Sequence, residues 1–271
     1  MKIDKFFFDD KGYTIIRNVF SNDEVLELRN LVYTTLEQDL QNNRATKVIA
    51  PISSEKHKNV FYTVGDFLIK PMKELLLDPR ILEIARTILG GTPVHFGESN
   101  YQVGVGDRGF HRDGVDRIYP IGTDWENDYK IIRIAIYLQD HDKCSGGLKV
   151  QEGSHKKANG KRVLLDSRAG DVAVWDLRTY HSGNSVRLKL FPNLALGCRV
   201  ENILPNYLII GEEKERIGCF MVFGINNKHL DKHIEKHYKV KFKDYIKIQK
   251  YSSETIEQCK NANLEIIIPE L

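Results

Sequence analysis

The chain has 271 residues, of which 28% are charged and 41% hydrophobic, with a formal net charge of +3. These values describe an ordinary globular protein with enough chain for a closed core, and they exclude a disordered tail or a fibre. Lysines and arginines are spread along the chain, which fits a solvated surface and not a nucleic-acid-binding stripe.

The apolar runs, such as Leu75-Leu76-Leu77 and Ile266-Ile267-Ile268, are too short for a membrane span. The start, Met1-Lys2-Ile3-Asp4-Lys5-Phe6, carries acid early and lacks a small-residue cleavage site, so secretion is not expected. Cys144, Cys198, Cys219 and Cys259 have no paired spacing and read as reduced thiols of a cytoplasmic protein.

The first ninety residues read as mainly helical. Ser21-Asn22-Asp23-Glu24 is a capping box, and Val25, Leu28, Leu31, Val32 and Leu36 follow at helical spacing to about Gln41. Asp78-Pro79 opens a second helix and Gly90-Gly91 closes it, with Ile81, Leu82, Ile84, Ala85, Ile88 and Leu89 as its buried face. Between the two helices, residues 42–57 are polar and read as a loop.

From residue 93 the pattern changes to short strands broken by glycine and polar turns. Candidates are 93–97, 101–105, 131–139, 148–152, 171–175, 194–200 and 217–225. Many short strands without alternating helices point to an antiparallel sandwich or barrel, and a double-sheet jelly roll fits best. Residues 226–250 are charged and read as helical. The expected fold is therefore mainly β with flanking helices. It forms one domain over 1–271, with a helical part at 1–92, a jelly-roll core at 93–226 and a helical extension at 227–271.

Within the core, His111-Arg112-Asp113 is followed at a distance by His181. Two histidines and one carboxylate are the ligand set of a non-haem Fe(II) site with open positions for oxygen chemistry. Residues i and i+2 of a strand share a face, so His111 and Asp113 can share one ion, whereas a helix would turn them about 200° apart. His-x-Asp alone is a weak signal, because a surface histidine beside a solvated acid gives the same string. His141-Asp142 is one such pair, read as lying in a loop. His229, His233 and His237 recur every four residues, but their lysine- and glutamate-rich setting favours a solvated helix face.

Four segments raise the signal: residues 7–21 (Phe7 to Ser21), His111-Arg112-Asp113-Gly114, residues 145–156 with Gly153-Ser154-His155, and Ala169-Gly170-Asp171-Val172-Ala173-Val174-Trp175. Together, in this order, they resemble the phytanoyl-CoA dioxygenase family over residues 7–225. The resemblance implies a double-stranded β-helix (jelly-roll, cupin-like) core, with Fe(II) at His111, Asp113 and His181, 2-oxoglutarate as cosubstrate, and O2. It implies a structural place for His155. It also implies an arginine for the far carboxylate of 2-oxoglutarate, a task that suits a planar, permanently charged fork. Arg216, just before residues 217–224, is preferred to Arg187, only six positions after His181, and the choice makes 188–215 largely an insertion. Gln102 and Arg133 are further candidates on the cavity wall.

The implied activity is an oxidoreductase reaction, hydroxylation of a C–H bond of a small molecule with release of succinate and CO2. Related halogenases lack the carboxylate that Asp113 supplies. Residues 114–130 read equally as a lid, with Arg108, Arg112 and Arg117 meeting an anionic substrate, or as an ordinary polar loop. The alternatives are a jelly-roll metalloprotein of another reaction type, or a non-catalytic module binding a small molecule or saccharide.

Overall fold

The computed structural model describes residues 1–49, 59–63, 66–104, 109–211, 214–247 and 249–270, without side chains for 46–49 and 59–63. The amino-terminal part holds α1 (Lys5–Lys11), β1 (Tyr13–Ile16), α2 (Asn22–Gln41), β2 (Ala45–Ile49), β3 (Asn59–Thr63), α3 (Lys73–Leu76) and α4 (Pro79–Leu89). Then come β4 (Val94–His95), β5 (Ser99–Val103), β6 (Ile131–Tyr137), β7 (Lys149–Gln151), β8 (Arg162–Leu164), β9 (Val172–Asp176), β10 (His181–Ser182) and β11 (Arg187–Leu188). The remainder is α5 (Cys198–Glu201), β12 (Ile209–Ile210), β13 (Ile217–Gly224), α6 (Lys228–His233), α7 (Lys239–Lys241), α8 (Lys243–Ile246), α9 (Ser253–Asn261) and β14 (Glu265–Ile266).

The main sheet runs β1-β9-β6-β13-β5-β3-β2, with β4 beside β13 and β14 beside β4. A smaller sheet, β10-β7-β8, faces it, and β11 pairs with β12. Two facing sheets of mostly antiparallel strands with flanking helices are the jelly roll expected from the sequence.

Alternation along the strands assigns each face. Ile132, Ile134 and Ile136 of β6 and Ile217, Cys219, Met221 and Phe223 of β13 join the large core against the helices. The opposite face carries Ala135 and Tyr137 from β6 and Ala173 and Trp175 from β9, packed with Val150 of the smaller sheet and Leu148 just before it. Helix α4 starts at Asp78, whose side chain accepts from Arg80 N, and stops at Gly90 with φ 72°. Its residues Ile81, Leu82, Ile84, Ala85, Ile88 and Leu89 are all buried in the large core. Each fully buried branched side chain of this size contributes about 1.5–3 kcal/mol, so a charge at Ile84 would break the helix from the sheet.

Five expectations are corrected. The first ninety residues are not only helical, because β1 pairs with β9 and the β2–β3 hairpin extends the other edge through β5. The expected loop at 42–57 therefore includes a strand at Ala45–Ile49, and residues 50–57 lie outside the described residues. Residues 194–200 are not a strand. Leu194 and Val200 are 49% and 45% exposed, and Gly197 leads into the short helix α5, so their apolar character is not spent on a sheet. The strand expected at 101–105 begins two residues earlier, at Ser99, and Val105 lies outside the described residues. The carboxy-terminal helix is broken: a π-helical turn over Ile234–Tyr238 joins α6 to α7, and Phe242, with φ −116° and ψ 24°, interrupts it before α8. No helix among the described residues is long and apolar enough to cross a membrane.

Candidate active site

His111 and His181 are joined by an antiparallel bridge, with His111 N donating to His181 O at 2.8 Å and His181 N to His111 O at 2.9 Å. Residues directly opposite in such a bridge project to the same side, and Asp113, two residues on, projects there as well. Asp113 N donates to Leu177 O at 2.9 Å, which keeps the segment running along the turn before His181. The side chains meet: His111 Nε2 stands 3.6 Å from Asp113 Oδ1, and His181 Nε2 stands 3.4 Å from Asp113 Oδ2. One ligand atom from each of the three lies within 4.8 Å of the others.

Hydrogen bonds set both tautomers. His111 Nδ1 donates to Gly109 O and His181 Nδ1 to Thr179 O, each at 2.9 Å. A carbonyl only accepts, so Nδ1 holds the proton and Nε2 turns a lone pair to the shared space. Burial pushes the His181 imidazole down to about 4, against the pull of Asp113, so it stays neutral and able to ligate near neutral pH. Burial would raise the Asp113 carboxyl, but the Arg133 guanidinium beside it outweighs this and holds the carboxyl well below its usual range. Asp113 Oδ2 is buried and accepts no hydrogen bond among the described residues; Arg133 Nη1 is 3.1 Å away as an ion pair only. An ionised carboxylate with an unsatisfied oxygen and two imidazoles that each turn Nε2 to the shared space fit a divalent first-row metal ion.

A cavity of about 440 Å3 opens beside these three residues. Its floor follows from strand alternation: Asn100 and Gln102 from β5, Arg133 and Tyr137 from β6, Trp175 from β9, and Arg216 and Phe220 at and within β13. Gly218 lies opposite both Gln102 and Tyr137, and a Cβ there would stand 2.8 Å from the Phe220 ring, so glycine keeps this part of the floor open. Arg216 is 2% exposed; its Nε donates to Gly146 O at 2.9 Å and its guanidinium lies 5.2 Å from the Tyr137 ring centre. Among the described residues no carboxylate pairs with it. A buried, unpaired cation is costly unless an anion joins it. Gln102 Nε2 and Trp175 Nε1 are likewise buried without acceptors, a wall that fits a ligand rich in oxygen atoms.

The two arginines weighed for the cosubstrate part company here. Arg187 does not line the cavity. Its Nε donates to His141 O and Cys144 O at 3.0 and 3.1 Å, its Nη1 to Pro192 O at 3.0 Å, and its Nη2 pairs with Asp166. Its charge is matched and its fork is committed to holding loops together, which removes it as a candidate. Arg133 lines the cavity, yet it is matched by Asp113 and by Glu98, whose Oε1 is 2.6 Å from Nη2. Arg133 is therefore placed to hold the Asp113 carboxylate.

Other sequence readings change as well. Arg112 donates to the carbonyls of Arg178, Arg117 and Ser154, so its guanidinium is committed to backbone, while Arg108 lies outside the described residues. The segment 114–130 is tied down by Asp124, which accepts from Val115 N and Asp116 N, and by Lys232, paired with Asp116 and Asp124. His141 is 1% exposed and accepts from Gln139, so it is a core histidine and not part of a surface loop. His155, 2% exposed, is structural as expected: its Nε2 donates to Asp9 O at 3.2 Å.

His229 and His233 are each 1% exposed, which overturns the solvated-face reading of their helix. His233 Nε2 is 2.9 Å from Glu98 Oε2, and His237 stacks on His233 and lines the cavity. Glu98 and His237 are thus site residues that sequence reasoning missed. The four-residue histidine period was the available signal.

The model of the family described as Phytanoyl-CoA dioxygenase (PhyH) matches residues 8–187. The chain belongs to the phytanoyl-CoA dioxygenase family. The match contains His111, Asp113 and His181 and ends before Arg216 and the carboxy-terminal helix. Among curated proteins, an ectoine dioxygenase of Sphingopyxis alaskensis is 26% identical over 150 residues, which cover 55% of this chain and 48% of that protein. An ectoine dioxygenase of Nocardia farcinica is 26% identical over 162 residues, 55% of this chain and 49% of that one. The chain thus spans about half the length of these relatives.

Among solved structures, the non-heme alpha ketoglutarate dependent carbocyclase SnoK from nogalamycin biosynthesis superposes with TM-score 0.55 at 20% identity, covering 84% of this chain and 88% of that one. EctD from S. alaskensis with 2-oxoglutarate and 5-hydroxyectoine superposes with TM-score 0.52 at 17% identity, covering 81% and 74%. These likenesses establish that the phytanoyl-CoA dioxygenase family member described here has the jelly-roll fold of such oxygenases.

Proposed function

We propose that this protein is an Fe(II)- and 2-oxoglutarate-dependent dioxygenase that hydroxylates a C–H bond of a small, anionic molecule. The observation that carries the reading is the shared cavity. It joins a two-histidine, one-carboxylate cluster to Arg216, a fully buried cation with no carboxylate partner among the described residues. Family membership and the two ectoine dioxygenase relatives support the same reaction class.

His111 Nε2, His181 Nε2 and an Asp113 oxygen would hold the iron. Bound there with 2-oxoglutarate, it supplies oxidation of the substrate by O2 coupled to formation of succinate and CO2. Arg216 offers its guanidinium edge to the far carboxylate of 2-oxoglutarate, with Gln102 Nε2 as an additional donor. Arg133 keeps Asp113 ionised and oriented. Trp175, Leu148 and Phe220 give the cavity apolar walls that keep water from the reacting centre. Four free cysteines are in keeping with the cytoplasm, the proposed location.

Incubation with Fe(II), ascorbate, O2 and 2-oxoglutarate tests the reading. Succinate formation in the native protein, abolished in Asp113→Ala, is expected. Absence of succinate across a broad set of small-molecule substrates would count against it.

A further inference from the structure

Beyond the metal cluster and Arg216, the cavity carries a second set of polar side chains, two of them cationic and without a carboxylate partner among the described residues. Arg117, from the segment after Asp113, and His237 and Lys241, from the carboxy-terminal helix, line the same space. Among the described residues, Arg117 and Lys241 pair with no carboxylate and His237 makes no hydrogen bond. The acids around them are already engaged. Asp116 and Asp124 face Lys232, Glu235 faces Lys239, and Glu98 faces Arg133 and His233.

Both sides of this mouth are braced. Residues 233, 237 and 241 are four apart, a step that drifts about 40° around an α-helix. The π-helical turn over Ile234–Tyr238 takes more residues per revolution and offsets that drift, keeping the row toward the cavity. His233 is anchored by Glu98, and the His237 ring stacks on it with centroids 4.9 Å apart at 24°. Across the mouth, Lys232 of the same helix reaches Asp116 and Asp124 and so fixes the segment that bears Arg117.

The charge balance points to the class of ligand. With the function proposed above, the two positive charges of Fe(II) meet the two negative charges of 2-oxoglutarate. Arg133 pairs with both Asp113 and Glu98, and Arg216 meets 2-oxoglutarate, so that metal, cosubstrate and these four side chains together sum to no net charge. Arg112 is occupied by three backbone carbonyls. Among the described residues Arg117 and Lys241 are left over, two positive charges at the entrance that no carboxylate pairs.

We propose that Arg117, His237 and Lys241 form a substrate-anchoring subsite for a phosphate or carboxylate group, held at the mouth while the bond to be oxidised faces His111, Asp113 and His181. The inference rests on the function proposed above for the direction in which substrate lies. His237 and Lys241 fall beyond residue 187, where the family match ends, as suits residues that set this chain's own specificity.

Calorimetric titration of inorganic phosphate, and separately of acetate, tests the subsite. The protein is loaded anaerobically with Mn(II) and 2-oxoglutarate, so that Arg216 is occupied. One anion site per chain with millimolar affinity is expected, weakened at least tenfold in Arg117→Met/Lys241→Met. The affinity for 2-oxoglutarate should stay within twofold. The single variant Lys241→Met should show part of the same loss should the double variant fold poorly. Tighter phosphate binding marks a phosphate-ester substrate, and tighter acetate binding a carboxylate. The proposal is overturned if neither anion binds, if the variants bind both as well as the native protein, or if the variants lose 2-oxoglutarate and anion together. Failure of 2-oxoglutarate itself to bind the native protein, with anion binding kept and sensitive to Arg117 and Lys241, would instead remove the proposed reaction and leave the anion site standing.

Discussion

Arg133 Nη1 lies 3.1 Å from Asp113 Oδ2. The same guanidinium reaches Glu98 at 2.6 Å, and Glu98 in turn holds His233 at 2.9 Å. A line of charged groups thus runs from the candidate metal carboxylate to the carboxy-terminal helix. Burial would raise Glu98, but His233 and Arg133 overcome it and hold the carboxyl at about 2. Both carboxylates depend on this one arginine.

Arg133→Met should therefore leave Asp113 without its main counter-charge and Glu98 with His233 alone. A loss of about 3 kcal/mol in unfolding free energy is expected. Metal affinity should fall about tenfold or more, as when the partner that orients a ligand is removed. Urea denaturation and a Co(II) titration measure the two effects, and unchanged values for both would show that Arg133 is idle.

Arg216 and Arg187 should fail in different ways. Arg216→Met is expected to weaken 2-oxoglutarate binding on the order of 100-fold while sparing metal affinity, because a charge-assisted pair is lost and Arg216 holds none of the three metal-cluster side chains. Arg187→Met should instead lower stability, since four acceptors on three segments lose their donor. Calorimetry with each variant separates the outcomes, and an equal loss of 2-oxoglutarate affinity in both would contradict the assignment.

Lys149 and Glu201 form an ion pair with both side chains 0% exposed. Lys149→Met alone strands a buried carboxylate and should cost about 3–5 kcal/mol. Lys149→Met/Glu201→Gln removes both charges and keeps an acceptor for Val186 N, so it should recover most of that loss. Thermal and urea unfolding of the single and double variants check this; a double variant no better than the single would show that charge desolvation is not the cause.

Acid should weaken the fold through His141. Burial, with Arg216 and Arg187 nearby, pushes this imidazole down to about 3, whereas an unfolded histidine titrates near 6.5. Between those values the unfolded chain takes up a proton that the folded one refuses. The contribution is complete above about pH 6.5 and is lost as pH falls, by about 1.4 kcal/mol per unit. The stability gap between the native protein and His141→Gln should shrink by about 1 kcal/mol from pH 6.5 to 5.5. A constant gap would mean that His141 does not resist protonation.

The His111, Asp113 and His181 cluster proposed to hold the metal was partly legible in the sequence because its shortest link is local: an extended segment places His111 and Asp113 on one side. Its closure with His181 was not local, since it needs a bridge between segments seventy residues apart. The choice between arginines could be leaned on through the strand that follows Arg216, but the matching of Arg187 by Asp166 depends on a distant loop. The histidine row was misread for the same reason. Its lysine-rich neighbours pointed to solvent, while the partner that draws it inward, Glu98, stands 135 residues upstream. Strands β1, β2 and β3 were missed because four- and five-residue pieces among helices carry too little periodicity, and only pairing with the main sheet makes them strands.

Anaerobic calorimetry of Fe(II) followed by 2-oxoglutarate tests the central claim most directly, in the native protein and in Asp113→Ala and His181→Ala. The account predicts one Fe(II) per chain, 2-oxoglutarate binding that requires the metal, and loss of both in either variant. Metal binding that survives the removal of Asp113 and of His181, or 2-oxoglutarate binding equally tight without metal, would contradict it.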